Sequence, residues 1–373
     1  MSVEIKQISQ PGLNDFIRFE WKINRNDPNW VPHLLMERKE FLDPKKNPFF
    51  EHSEVAYFMA YKNGESAGRI AAVVNHAHNS FHEDAVGFFG LFECINDQEV
   101  ADALIAQAKK FVASKGMTSL RGPVNLSTND ECGLLIDGLN QPAQIMMTYN
   151  PEYYIMLLEK SGLKKAKDLF AYYVDVPAEV PERLRRGVDI IMKRNEFTIR
   201  TIQVKDFKNE VQRIKKIYNA AWERNWGFVP MTDKEFDHLG VQMKQILDPK
   251  FLFIAEHKGE PIGFSLTIPN LNEALIKIRD GRLLPFGLPK LLWHTRKGQL
   301  KSVRVITLGV TPQHRNSGID IVFYYKSFEE AIRQKLTWAE MSWILEDNIP
   351  MNRALERMGA VVYKTYRLYE MPV

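Results

Sequence analysis

Near its C-terminal end the chain reads Leu308-Gly309-Val310-Thr311-Pro312-Gln313-His314-Arg315-Asn316-Ser317-Gly318-Ile319-Asp320. Val303 to Thr311 is strand-like, Ile319 to Lys335 is helix-like, and the polar residues between them form a loop. A strand that turns through a loop into a helix aims several backbone N–H groups and a helix dipole at one place. That arrangement suits an anion such as a pyrophosphate. Arg315 adds a fixed positive charge, and Gly318 lets the backbone approach a ligand closely. The same residues also fit an ordinary surface turn with a helix start.

The chain around this loop repeats itself. Phe58-Met59-Ala60-Tyr61-Lys62-Asn63-Gly64-Glu65-Ser66-Ala67-Gly68 returns 195 residues later as Phe253-Ile254-Ala255-Glu256-His257-Lys258-Gly259-Glu260-Pro261-Ile262-Gly263. Each copy predicts two strands about a tight Asn-Gly or Lys-Gly turn. Asn75 and Asn270 close the copies at the same offset. Leu158-Glu159-Lys160-Ser161-Gly162 likewise returns 197 residues later as Leu355-Glu356-Arg357-Met358-Gly359, a helix ended by glycine. Tyrosine-rich strands, Asp168–Asp175 and Val362–Glu370, follow the two copies. Between the matches, the first half predicts a strand at Val86–Glu93, a helix at Asp97–Ser114 and a strand at Met117–Val124; the second half predicts a strand at Trp338–Leu345 after its helix. Pro177 and Pro181 mark a boundary, and Glu179–Asn195 reads as a connecting helix.

At 373 residues, 45% apolar and 26% charged, the chain is long enough for two ordinary globular domains, and disordered, collagenous and disulfide-framework classes are excluded. A net charge of +4 carries no signature of nucleic-acid binding. The two cysteines, Cys94 and Cys132, fit a reducing compartment, and neither a secretory leader nor a membrane span is expected, so the expected location is cytoplasmic. The histidines and cysteines show no metal-ligand spacing; His76, His78 and His82 are close but lack a completing carboxylate pattern.

The Val310–Gly318 loop resembles the acyl-CoA-binding motif of the GNAT superfamily of N-acetyltransferases. There a strand leads into Val-x-Pro, then Gln/Arg-x-x-Gly-x-Gly/Ala, then a helix; Val310, Pro312, Arg315 and Gly318 match. Glu346-Asp347-Asn348 after the next strand, then Asn352 and Leu355–Gly359, resemble that superfamily's second CoA-side motif. With the duplication, the resemblance implies an α/β chain of two tandem GNAT-like domains, each a mixed central sheet flanked by helices. Residues 1–178 would be a GNAT-like domain without a pyrophosphate loop, because only Cys94, Ile95 and Asn96 separate its strand from its helix. Residues 179–195 would connect it to a CoA-binding domain at 196–373.

The resemblance implies direct attack of an amine on the thioester of acetyl-CoA or another acyl-CoA, with a small molecule or peptide as acceptor. Leu308, Gly309 and Val310 would be the strand edge that pairs with the cofactor, and the Val310 amide the oxyanion donor. Gln313, His314, Arg315, Asn316, Ser317, Gly318 and Ile319 would hold the pyrophosphate, and Asn348 and Asn352 the cofactor's arm. Glu340, Glu346 and Asp347 are placed to act as general base, or as solvated charges and caps. Two departures favour the alternative of a non-catalytic ligand- or partner-binding protein: Asp320 stands where the family has Gly or Ala, and Leu355 stands where it often has a tyrosine acid. A third reading takes the acyl group from a larger, tRNA-borne donor. Trp226 and Phe228 are the candidate acceptor-side residues, with an aromatic core as the competing reading. The insertion Gly281–Lys297, apolar and then basic, reads either as an interfacial segment or as a cover for the sheet.

Overall fold

The computed structural model describes residues 2–222 and 225–373. The strands before residue 178 are β1 (Glu4–Ile8), β2 (Ser53–Lys62), β3 (Glu65–Asn75), β4 (Val86–Cys94), β5 (Ser119–Gly122), β6 (Leu134–Asp137) and β7 (Lys164–Asp175). Those after it are β8 (Phe197–Thr201), β9 (Leu252–His257), β10 (Glu260–Pro269), β11 (Ser302–Val310), β12 (Trp338–Leu345) and β13 (Val361–Pro372). The helices of the first half are α1 (Leu13–Asn24), α2 (Leu35–Phe41), α3 (His76–His82), α4 (Gln98–Ser114) and α5 (Tyr153–Lys160). The connecting helix is α6 (Glu182–Arg194); α7 (Phe207–Trp222), α8 (Asp233–Ile246), α9 (Asn272–Leu275), α10 (Gly287–His294), α11 (Ile319–Arg333) and α12 (Ile349–Arg357) follow.

The sequence repeat is a structural repeat. Ala60 pairs with Gly68 and Ala255 with Gly263, and Lys62 pairs with Glu65 as His257 does with Glu260, so both hairpins share one register. Both turn through two residues of positive φ, Asn63-Gly64 and Lys258-Gly259, as the twist of a two-residue hairpin demands. In each half the third and fourth strands of the repeat run parallel, β4 with β5 and β11 with β12, joined by a crossover helix. α4 shows why the crossover folds as it does. The Asp97 carboxylate caps the N–H groups of Glu99 and Val100, and Val100, Leu104, Ala108 and Val112 form one buried stripe against the sheet.

The closing strands are exchanged. The sheet order is β1-β2-β3-β4-β5-β13-β7-β12-β11-β10-β9-β8, with β6 paired to β13. The last strand of the chain therefore completes the first half, and β7 completes the second. The division of the chain at 178–195 marks the sequence repeat, while the sheet runs through it unbroken. Tyr366 and Tyr369 of β13 are fully buried at this junction, each removing enough apolar surface from water for about 2 kcal/mol.

Candidate active site

β11 and β12 keep parallel register only from Ser302 with Trp338 to Val305 with Met341. Beyond that, β12 stays with β7 to Leu345 and β11 stays with β10 to Val310. The two strands part, and the edge of β11 from Ile306 to Val310 carries no ladder on the side of β12. The N–H of Thr311 donates to the Ile262 carbonyl of β10 at 2.8 Å. Backbone groups alternate sides along a strand, so the Val310 N–H points the other way, into the wedge.

The loop at the top of the wedge is held by its own residues. The His314 N–H donates to the Thr311 carbonyl at 2.9 Å, and the Ser317 hydroxyl donates to the His314 carbonyl at 2.6 Å. Gly318 sits at φ +78°, and a Cβ there would come within 2.8 Å of the Ile191 side chain of α6. The connecting helix thus leans on the loop, and glycine alone allows it. The first N–H groups of α11 have no partner within the helix and stand at its positive end. Arg315 is exposed and donates to the Ala221 carbonyl at 3.0 Å. Asp320 stands in the first turn of α11. Its carboxyl lies against the N–H groups of Ile321 and Asp320, and burial raises its pKa nonetheless.

Below the loop, a cavity of about 290 Å³ opens beside the wedge. Ile306 and Thr307 of β11 and Ser342, Trp343 and Leu345 of β12 form one side. α7 and α8 supply another, with Tyr218, Phe236 and Met243 among their residues. Trp226 and Phe228 line it too, together with Asn129, Asp130 and Cys132 from the first half. The wall is mostly apolar, and two buried polar atoms in it, Thr307 Oγ1 and Trp343 Nε1, have no hydrogen-bond partner among the described residues. Arg304 and Ser342 supply a polar patch of the wall: Arg304 donates to Ser342 Oγ at 2.9 Å and to the Ile145 carbonyl at 2.8 Å.

Comparison with known proteins places this geometry in a family. No family model matches the chain. It is 36% identical over 367 residues to a protein of Caulobacter vibrioides (strain NA1000 / CB15N) named bacterial ceramide synthase, covering 96% of this chain and 94% of that one. It is 36% identical over 371 residues to Protein YghO of Escherichia coli (strain K12), covering 98% and 94%. The chain belongs to their family. Among solved structures, a tandem GNAT protein from the clavulanic acid biosynthesis pathway superposes at a TM-score of 0.56 and 10% identity, covering 100% of this chain and 98% of that one. A GCN5-related N-acetyltransferase from Sphaerobacter thermophilus follows at 0.52 and 12%, covering 99% and 95%. The fold of this ceramide synthase–YghO family member is that of a tandem GNAT protein.

In this tandem GNAT fold the residues singled out in the sequence divide into two groups. Leu308, Gly309 and Val310 lie on the open edge of β11, and Gln313 to Ile319 form the loop and helix start above it. Trp226 and Phe228 face the cavity. The acids and amides after β12 do other work. Glu346 accepts from the Asp168 N–H at 3.0 Å and pairs with Lys165 at 2.6 Å, which fastens the end of β12 to β7. Asp347 pairs with Lys167 at 2.7 Å, and that ammonium lowers its pKa. Asn348 caps α12 through the Met351 N–H. Asn352 is buried; it accepts from the Tyr172 hydroxyl at 2.9 Å and donates to the Leu345 and Glu346 carbonyls. Its amide is thus engaged by strand ends and a core tyrosine. Glu340 is fully buried, accepting from Ser342 Oγ at 2.5 Å and from the Tyr363 hydroxyl, beside Arg304 at 3.5 Å. Leu355 is core.

The first half of the tandem GNAT fold parts its strands in the same place, yet its wedge is filled by its own chain. β4 and β5 pair only from Val86–Ser119 to Phe88–Arg121. Beyond, the Val124 N–H donates to the Phe89 carbonyl at 2.7 Å, and the Leu91 N–H donates to Asn125 Oδ1 at 2.8 Å. The Cys94 N–H donates to the Tyr154 hydroxyl at 2.8 Å, and the Tyr153 hydroxyl donates to the Cys94 carbonyl at 2.7 Å. No edge is left for an incoming ligand at these positions.

Asp130 went unread in the sequence. It lies in the polar segment Ser127–Gly133 of the first half and faces the cavity of the second. Its carboxyl has no hydrogen-bond or ion-pair partner among the described residues. Burial, helped by the charges of Glu131 and Glu235, raises its pKa to about 8. Its loop is stitched to the Gly227 turn: the Thr128 hydroxyl donates to the Gly227 carbonyl at 2.6 Å and the Asn129 amide to the Val229 carbonyl at 2.9 Å. Nothing local signals this, because the contact spans about a hundred residues of chain.

Proposed function

We propose that the protein transfers an acyl group from a CoA thioester to the amine of a lipid, at one site formed by the β11–β12 wedge and the adjoining cavity. The observation that carries this reading is the apolar cavity opening directly beside the wedge, with two unpartnered polar atoms in its wall. An aqueous amine has no use for such walls; a chain with a polar head does. The relative named bacterial ceramide synthase is consistent with it, since a ceramide is the amide of an amino lipid.

The residues present fit an acyl-CoA. The open edge of β11 offers amide pairing, and the helix start at Gly318 with Arg315 offers anion binding. The cofactor would supply an acyl group already activated as a thioester. The Val310 N–H, turned into the wedge, would stabilise the oxyanion. Asp130, in the cavity wall, would take the proton from the attacking amine. Leu355 offers no hydroxyl to the departing sulfur, and a thiol with a pKa of about 8.5 leaves as thiolate without a donor in mildly alkaline solution.

Incubation with palmitoyl-CoA and a long-chain amino alcohol, followed by mass spectrometry, tests the reading. An amide product and free CoA are expected. Val310→Pro should reduce that reaction by about 100- to 1,000-fold, because it deletes the donor while sparing the β10 ladder on the opposite edge. Asp320→Ala should tighten binding of the CoA thioester about fivefold at low salt, by removing a carboxylate that competes for the first-turn N–H groups. Titration calorimetry at two salt concentrations reads the second effect. The non-catalytic reading, which Asp320 and Leu355 favour, takes over if no CoA thioester binds at millimolar concentration.

A further inference from the structure

The segment from Arg282 to Lys301 contains α10 and leaves large apolar side chains bare. Leu284 and Phe286 are each 73% exposed, Leu292 60% and Trp293 59%. Basic side chains surround them: Arg282, Lys290, Arg296, Lys297 and Lys301 are all exposed, and no acidic residue occurs between positions 282 and 301. The Arg296 guanidinium lies 3.4 Å over the Trp293 ring, joining a cation to an aromatic face on the same surface.

The base of the segment is firmly held. Arg279 donates to the carbonyls of Trp30 at 2.6 Å and Asp27 at 2.7 Å, and the Trp21 indole N–H donates to the Arg279 carbonyl at 2.9 Å. The Leu35 N–H donates to the Gly281 carbonyl at 2.9 Å. At the far end, Glu273 accepts from the Lys301 and Ser302 N–H groups at 2.8 and 2.9 Å. Folding has thus spent its contacts on fixing both ends of a projection and left the large apolar side chains of its tip bare.

We infer that this projection docks the protein onto the surface of an anionic lipid bilayer, inserting Leu284, Phe286, Leu292 and Trp293 among the headgroups while the basic ring meets lipid phosphates. A soluble protein partner would cover the apolar tip equally well, but it gives no reason for five cations and no anion around it. A bilayer with negative headgroups satisfies both features at once: apolar side chains enter the acyl boundary, an indole sits at the interface, and Lys and Arg reach the phosphates. No helix among the described residues is long and apolar enough to cross a membrane, so the contact is a peripheral one.

Sedimentation with vesicles of phosphatidylglycerol and phosphatidylcholine tests the inference without any substrate. The wild-type protein should bind mixed vesicles, bind phosphatidylcholine alone at least tenfold more weakly, and lose most of its affinity in 0.5 M salt. Phe286→Ser combined with Trp293→Ser should reduce binding to mixed vesicles by tenfold or more with an unchanged melting temperature, since both side chains are exposed. Lys290→Glu with Lys297→Glu should do the same through charge. Failure of the wild type to bind mixed vesicles, or binding by both double variants as tight as that of the wild type, overturns the inference. So does concentration-dependent self-association that the Phe286→Ser, Trp293→Ser variant abolishes while vesicle binding persists. Acyl transfer in detergent solution is a separate readout: it should survive in both variants.

Discussion

Asp130→Asn should lower acyl transfer by about 100- to 10,000-fold while leaving the affinity for the CoA thioester nearly unchanged. The half-buried carboxyl lines the cavity, and desolvation together with the charges of Glu131 and Glu235 raises its pKa to about 8. Only the deprotonated form accepts a proton from an amine, so wild-type turnover should climb as pH rises through about 8, and the asparagine variant should lose that limb. Stability supplies a second readout with its own sign. The folded-state pKa is raised above the unfolded value of about 3.8, so the folded chain holds one more proton between the two values. The stability due to this group is present below pH 4 and is lost as pH rises through about 8. Asp130→Asn should therefore be more stable than wild type at pH 9, by an amount on the order of 2 kcal/mol, with the gap closing in acid. A variant that loses stability at pH 9 would show Asp130 to be a structural partner, and an unchanged pH–rate profile would remove it from the chemistry.

Arg38→Ala should cost about 3–5 kcal/mol and disturb the Ser127–Gly133 loop, although no part of Arg38 lines the cavity. The Arg38 guanidinium is buried and donates to both oxygens of Glu131 at 2.6 Å; His33 meets Glu131 at 3.2 Å and Glu20 at 3.2 Å, and Arg69 meets Glu20 at 3.0 Å. Burial alone would raise the carboxyl of Glu20, yet His33, Arg69 and Arg38 hold it to about 2. Burial and Arg38 press the His33 imidazole down, and Glu20 with Glu131 outweigh them, raising it to about 9. Removing Arg38 leaves two buried carboxylates with insufficient positive charge. The loss falls on the Ser127–Gly133 loop, because Glu131 is the neighbour of Asp130 in the chain. Denaturant unfolding should show the destabilisation, and Arg38→Lys should recover part of it, because the single Nη2 of Arg38 reaches both Glu131 oxygens and an ammonium can stand in its place. A loss below 1 kcal/mol would mean that the cluster contributes little net stability. His33 adds a pH signature: its raised pKa gives stability fully present below pH 6.5 that is lost as pH rises through about 9.

Local pattern and repetition carried the fold a long way. Turn chemistry at Asn63-Gly64 and Lys258-Gly259, caps such as Asp97, and apolar spacing along α4 and α11 are short-range devices, and their physical rules act within a few residues. The same holds for the loop from Val310 to Gly318, whose glycine and helix start sit where the chain order puts them. The partners of the acids after β11 are hidden from the sequence for a related reason. Glu346, Asp347 and Glu340 look free in sequence, but Lys165, Lys167, Arg304 and Tyr363 reach them from distant strands.

Sequence by itself determined the duplicated α/β plan and the asymmetry between a half with a long polar loop ahead of its crossover helix and a half without one; the strand edge at Leu308–Val310 was implied only by the family resemblance. Tertiary structure alone decided that β13 and β7 change places, that Tyr153 and Tyr154 fill the first wedge, and that Asp130 of one half faces the cavity of the other. The physical reason is range. A turn, a cap or a helix stripe is fixed by neighbours in the chain, whereas strand exchange and a cavity between halves depend on which apolar surfaces and buried charges meet after the chain has closed on itself, and no residue carries that information locally.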